Sequence, residues 1–254
     1  GAALGPLFFT TLISAGVSWR WGFAGLALVQ VAVVVLMSGA TSGWASSPPP
    51  PDGNRRSRRL PGSAWWALGL FVLYTGFEVG AGQWAFTLFT EGRGLTAAVA
   101  GLAVTGFYGA LTAARLLLTG LGDRLPAPQL STRSAVVAVV AMAVVWWSPA
   151  PWVGPAALVV CGFSMGPIFP LQMLLTPGRT GTGGTANMVG YQMAAASLGA
   201  SLVPGLIGLL VGPFGVPVVA PVLVVTGTAM LLVDLRLRTA AVSIVPTTPV
   251  PGSG

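Results

Sequence analysis

The sequence predicts an all-α polytopic membrane protein. Three observations predict it: too little charge to face water, apolar runs of spanning length, and arginines that alternate between sides. Of 254 residues, 54% are hydrophobic and only 7% are charged. A soluble domain carries about 25% charged residues, so the outer surface of this chain is matched to lipid. All twelve basic residues are Arg, and there is no Lys or His. No imidazole base, Schiff-base lysine or P-loop lysine is therefore available. The single Cys161 excludes a disulfide framework and a Cys-only zinc site. Five acidic residues, scattered along the chain, leave little for a carboxylate pair. Hydrolase, kinase and metalloenzyme chemistry are disfavoured, and no metal or cofactor is expected. The net charge of +7 does not point to nucleic acid. The arginines sit in short loops between apolar runs, with no basic face and no stacking aromatics beside it.

A spanning helix needs ~20 mainly apolar residues. Eight stretches meet or approach this: 1–17, 20–38, 64–90, 96–120, 134–149, 152–176, 185–211 and 217–235. The first is shorter than a full span and the fifth is near the lower limit. None has the basic start and small-residue cleavage site of a signal peptide. The chain opens at Gly1, already inside an apolar run, and is expected to be a fragment lacking an N-terminal part. Residues 39–62 form a linker, with Pro48 to Pro51 followed by Arg55, Arg56, Arg58 and Arg59. Such a composition cannot build a packed core. Residues 239–254 read as a loose, Pro-rich tail. The expected organisation is thus helices over 1–38, a linker over 39–62, a six-helix unit over 63–238 and the tail.

Charge placement predicts orientation. Alternate loops hold Arg55, Arg56, Arg58, Arg59, Arg124, Arg133, Arg179, Arg236 and Arg238, nine in all, whereas the opposite loops hold Arg20 and Arg93. The positive-inside rule places the nine-arginine side, with the linker and the C-terminus, in the cytoplasm. One missed or invented helix would scramble this alternation. Trp19, Trp21, Trp65, Trp66, Trp146, Trp147 and Trp152 fall at segment ends, as interface anchors do.

The sequence Gly1-Ala2-Ala3-Leu4-Gly5-Pro6 matches Gly199-Ala200-Ser201-Leu202-Val203-Pro204. Taken as an internal repeat, it makes segments one and two the counterparts of segments seven and eight, with one unit of six helices between. Parallel six-helix halves joined by a linker resemble the architecture of the major facilitator superfamily. Gly5-Pro6 is similar to the end of that family's fifth-helix motif. Gly120-Leu121-Gly122-Asp123-Arg124 is similar to its G-x-L-A-D-R loop, although Thr119 takes the first Gly position and Pro126-Ala127-Pro128 replaces the usual Gly and basic residues. Tyr74 to Trp84 and Gly166-Pro167-Ile168-Phe169-Pro170 resemble the seventh and tenth helices of fucose-permease-like members. The resemblance implies a major facilitator fold in which the eight helices are family helices five to twelve.

Candidate functional residues follow from depth and spacing. Glu78 lies near the middle of 64–90, ~18–21 Å from either end. An ionisable group there faces a cavity, a partner or a proton path. Tyr74, Thr75, Glu78, Ala81, Gly82 and Ala85 share one side of the helix, a polar and small face that fits a water-lined cavity. Two readings stand for Glu78: substrate or proton binding, and a structural pair with a neighbouring helix. Thr105, Tyr108, Thr112, Arg115 and Thr119, spaced three, four, three and four, form a polar seam on the next helix. Arg115 has three candidate roles: binding an anionic substrate, forming a structural or gate ion pair, and snorkelling to the headgroups. The family resemblance implies a gate role for Asp123 and Arg124. Gly166, Pro167 and Pro170 interrupt their segment at mid-span, where backbone lines a cavity or bends. Gln172, Asn187, Tyr191 and Gln192 are candidates for substrate contact or for interhelical hydrogen bonds. Gln83 and Trp84 lie one turn from Glu78; Trp84 would stack on a sugar face or anchor in lipid.

The resemblance implies a secondary transporter of a small polar solute, such as a sugar, working by alternating access and coupled to protons through Glu78. Its partners would be the lipid bilayer, the solute and protons. It would sit in the plasma membrane, as a monomer when full length. Drug efflux by the same fold is the first alternative. A structural or receptor membrane protein without transport is the alternative of another class. A membrane-embedded enzyme would need nucleophiles, bases or metal ligands clustered at one depth, and the sequence shows none.

Overall fold

The computed structural model describes residues 11–12, 15–39, 62–121, 126–180 and 185–242. The linker between positions 40 and 61, most of segment 1–17, the loop carrying Asp123 and Arg124, and the tail beyond 242 lie outside the described residues. So does the first copy of the repeated hexapeptide.

The described residues are helical and contain no strand. Helix α1 spans Trp19–Gly39, α2 Gly62–Thr90, α3 Ala97–Leu121 and α4 Ala127–Trp147. Then come α5 (Val153–Met165), α6 (Ile168–Leu174), the short α7 (Thr176–Thr180) and α8 (Thr185–Phe214). A single 3-10 turn, Val216–Val218, leads into α9 (Val219–Val242). Six stretches are long and apolar enough to cross a membrane: Gly62–Thr90, Ala97–Leu118, Ala127–Trp147, Val153–Leu174, Asn187–Phe214 and Val216–Arg238. In α1 the apolar part, Arg20–Leu36, is shorter.

The bounds agree with the sequence reading within a few residues, apart from one start and one end. Helix α4 begins at Ala127, not 134. Pro128 falls at the first helical positions, where a missing N–H costs nothing because no intrahelical acceptor awaits it. Residues expected as loop therefore extend the helix. Helix α9 runs to Val242 rather than 235. The segment expected over 152–176 is divided at Gly166 and Pro167 into α5, α6 and α7. The break is mild, since Gly166 (φ −51°, ψ −48°) and Pro167 (φ −71°, ψ −26°) both keep right-handed helical angles.

Helix α2 is the central element and packs on α8, α9 and α3; α5 packs on α3 and α4, and α9 closes on α4. In lipid the hydrophobic effect does not hold helices together, so close van der Waals contact must do so. Small residues make that contact possible. A Cβ at Gly199 would lie 2.0 Å from the Val72 carbonyl oxygen, and one at Gly162 would lie 2.2 Å from that of Phe107. Between these contacts Phe71, Phe77, Phe89, Phe107, Met142 and Leu158 are fully buried. Cys161 is buried there too, unpaired. Large apolar side chains also lie on the outside of the described helices: Trp21, Leu28, Leu36, Leu116, Leu209 and Val225 are all exposed. Such a surface fits an apolar surrounding of lipid or further helices. Trp65, Trp66, Trp146, Trp147 and Trp152 are exposed near helix ends, where interface anchors are expected.

Candidate functional site

The site forms where α2, α3 and the α5–α6 break meet. Glu78 is ~18 Å along α2 from Thr90, and Met165 is ~18 Å along α5 from Val153, so the two lie at one depth. Arg115 reaches this point from α3. Its Nη2 lies 3.2 Å from Glu78 Oε2 and 3.4 Å from Oε1. The same Nη2 donates to the Tyr74 hydroxyl at 3.1 Å, and Tyr74 in turn donates to the Met165 carbonyl at 3.1 Å. Arg115 Nε donates to the Gly166 carbonyl at 3.4 Å. That carbonyl needs an outside donor because Pro170, four residues on, has no N–H to offer it. Phe169 completes the floor: its ring lies 6.0 Å from the Arg115 guanidinium carbon and 5.9 Å from the Tyr74 ring. The Arg115 side chain remains 40% exposed against 15% for Glu78.

The small residues of the Glu78 face pack rather than line water. Ala81, Gly82 and Ala85 are buried. A Cβ on Gly82 would lie 2.0 Å from the Tyr108 hydroxyl oxygen, so glycine there is what lets Tyr108 cross onto α2. Tyr108 and Arg115 therefore approach α2 from one helix, Tyr108 at Gly82 and Arg115 at Glu78. Thr112 is exposed and returns its hydroxyl to the Tyr108 carbonyl at 2.8 Å. The hydroxyls of Thr75 and Thr105 are buried without a hydrogen-bond partner.

The other candidates are dispersed. Gln83 is exposed. Trp84 donates its indole N–H to the Pro204 carbonyl at 3.2 Å and so joins α2 to α8. Gln192 is fully buried and donates to Thr176 Oγ1 at 3.0 Å, tying α8 to α7. Asn187 and Tyr191 lie exposed on the first turns of α8, away from these bonds. Gly166 sits against α3, where a Cβ would meet the Leu111 carbonyl at 2.6 Å. Asp123 and Arg124 lie outside the described residues.

Gln172 belongs to a second polar cluster, which the sequence reading did not find. Its Nε2 donates to Asp234 Oδ1 at 2.7 Å and to Ser131 Oγ at 2.9 Å. Ser131 and Thr132 donate to the two Asp234 oxygens at 2.9 and 2.6 Å. Asp234 is only 5% exposed, so this carboxylate joins α4, α6 and α9 inside the bundle. In the nearby α7, burial pushes the Arg179 guanidinium below its ordinary pKa, and Asp234 acts against that. A segment ending at 235 leaves Asp234 at a helix terminus, where a charge is unremarkable. Only the true end of α9 places it inside. At the opposite end, burial likewise lowers the pKa of Arg93. Arg93 Nη2 donates to the carbonyls of Val145 and Trp146, the latter at 3.1 Å, at the negative end of the α4 dipole.

One comparison bears on what this arrangement is for: a sequence model of the Major Facilitator Superfamily matches residues 1–204.

Proposed function

This chain belongs to the Major Facilitator Superfamily of membrane transporters, and on that premise we propose that it moves a small polar solute by alternating access, coupled to protons through Glu78. The observation that carries the reading is the ion pair between Glu78 and Arg115, with Glu78 near the middle of the apolar stretch Gly62–Thr90. Burying two charges in lipid is expensive, and replacing such a pair by apolar residues is often neutral or stabilising. A pair kept at that depth is therefore better explained by use than by stability. Glu78 takes up a proton on one side, its hold on Arg115 weakens, and the site is ready to be reset on the other side. The unit over 63–238 acts as one six-helix half, rocking against the helices on the other side of the linker. We place the nine-arginine side in the cytoplasm and the protein in the plasma membrane.

The test is Glu78→Gln in the intact protein reconstituted in vesicles. The amide keeps the shape of the side chain and cannot exchange a proton. Accumulation of solute driven by a pH gradient is expected to vanish, while exchange of solute for solute persists. Accumulation equal to wild type would remove Glu78 from the coupling role.

A further inference from the structure

We propose that the outer seam between α4 and α9 binds the phosphate headgroup of an anionic phospholipid, held by Arg133 and Arg236 with Arg238 beside them. The site lies apart from Glu78 and Arg115, and it does not depend on which solute is moved.

Two helix faces lead to this point. On α4 Arg133, Val136, Val137 and Val140 are exposed, and their three, four and seven spacing puts them on one face. On α9 Val225, Leu232, Leu235 and Arg236 are exposed along one side. The opposite faces are buried, with Ser131, Ala135 and Ala138 on α4 and Met230, Asp234 and Leu237 on α9. Arg133 lies near the start of α4 and Arg236 near the end of α9, at the same end of the bundle. Each outer face is thus an aliphatic stripe that ends in an arginine. Acyl chains fit the stripe, and the guanidinium is left at the level of the headgroup. A soluble anion would make no use of the stripe.

Asp234 sets the register of the two helices. Ser131 and Thr132 donate to its two oxygens at 2.9 and 2.6 Å, so these positions lie at one level. Arg133 is one residue beyond that level and Arg236 is two, ~1.5 and ~3 Å along axes that run in opposite directions. The arginines are therefore ~4.5 Å apart in depth, on packed helices whose axes lie ~8–10 Å apart. Two long side chains can close on one phosphate from these positions, each through paired N–H groups. Asp234 does not compete from outside, because it is buried and its oxygens accept from Ser131, Thr132 and Gln172. The other described acids are elsewhere: Glu78 pairs with Arg115, and Glu91 follows α2 at the opposite end of the bundle. Arg133, Arg236 and Arg238 are all exposed, with no exposed acid at this end among the described residues. The surface fits a net negative headgroup rather than a zwitterionic one, whose ammonium would find no partner.

The experiment uses the intact protein purified in neutral detergent. The probe is dioleoylphosphatidylglycerol, set against dioleoylphosphatidylcholine, with the same acyl chains, and against soluble glycerol phosphate. Thermal unfolding reports binding of each. Phosphatidylglycerol is expected to raise the unfolding temperature at concentrations where the other two do not. Arg133→Gln and Arg236→Gln are each expected to weaken its apparent affinity about fivefold, and together about twentyfold. Arg20→Gln removes the same charge from an exposed position at the start of α1 and is expected to change the affinity less than about twofold. Phosphatidylcholine as effective as phosphatidylglycerol would overturn the anionic headgroup. Glycerol phosphate as effective would overturn the lipid and leave a site for a soluble anion. An equal loss in Arg20→Gln, or no loss in the double variant, would overturn the placement at the seam. The comparison of the three probes on the wild-type protein decides the lipid class without recourse to any variant.

Discussion

Arg115 Nε lies 3.4 Å from the carbonyl of Gly166, the acceptor that Pro170 leaves without a helical partner. One guanidinium thus serves both the carboxylate at the site and the break in the helix beside it. A change in the Arg115–Glu78 pair is therefore expected to reach the backbone where α5 hands over to α6.

Pro170→Ala tests this link. Alanine restores an N–H four residues beyond Gly166, so the helix satisfies its own carbonyl. The variant is expected to unfold at the same or a higher temperature and to transport about tenfold more slowly, a barrier change of ~1.4 kcal/mol. Vesicle uptake alongside a melting curve measures both, and unchanged uptake would show that the break is fixed packing.

Close helix contact is the second testable feature. Gly162→Val and Gly199→Val each drive a side chain into a neighbouring carbonyl and are expected to cost about 1–3 kcal/mol. Gly190→Ala is the control, because a Cβ there meets nothing within 4 Å. Thermal stability of the purified variants should separate the two classes.

The Asp234 cluster should behave as a unit. Gln172→Leu removes a donor from a buried carboxylate and is expected to destabilise by about 1–3 kcal/mol. Ser131→Ala should cost less, ~0.6 kcal/mol, typical of one interhelical hydrogen bond in a membrane protein. A double-mutant cycle between Asp234→Asn and Gln172→Leu should give a coupling above ~0.5 kcal/mol. Strict additivity would mean that the bonds to Asp234 are energetically idle.

For Trp84 the sequence offers sugar stacking or lipid anchoring, and in the structure the indole N–H bridges α2 to the Pro204 carbonyl. Trp84→Phe is expected to lower stability by ~1 kcal/mol and to leave KM within about twofold. A rise in KM of tenfold or more, at constant stability, would restore the stacking role.

The fold was legible because lipid imposes length and composition on a span, and both are local properties. The start of α4 was not, because Pro128 reads as loop unless its place in the first turn is known. Glu78 stands out as the lone acid inside 64–90, and the three-four spacing brings Tyr108 and Arg115 onto one side of their helix. Their meeting is another matter. It joins positions 37 residues apart, and its third partner is a backbone carbonyl that carries no side-chain signature. Asp234 escaped for a simpler reason: its partners at Ser131 and Thr132 lie more than a hundred residues away, on the stretch of α4 read as loop.

Cys161 sits sealed between helices with no solvent contact, and the chain has no other thiol. In this chain a cysteine placed at an exposed position such as Leu174 or Trp152 would be the single site open to a maleimide dye or spin label. The chain can therefore carry paired optical or magnetic probes with its native core left intact. The distance between α6 and the opposite end of the bundle then becomes directly measurable as solute and pH are varied.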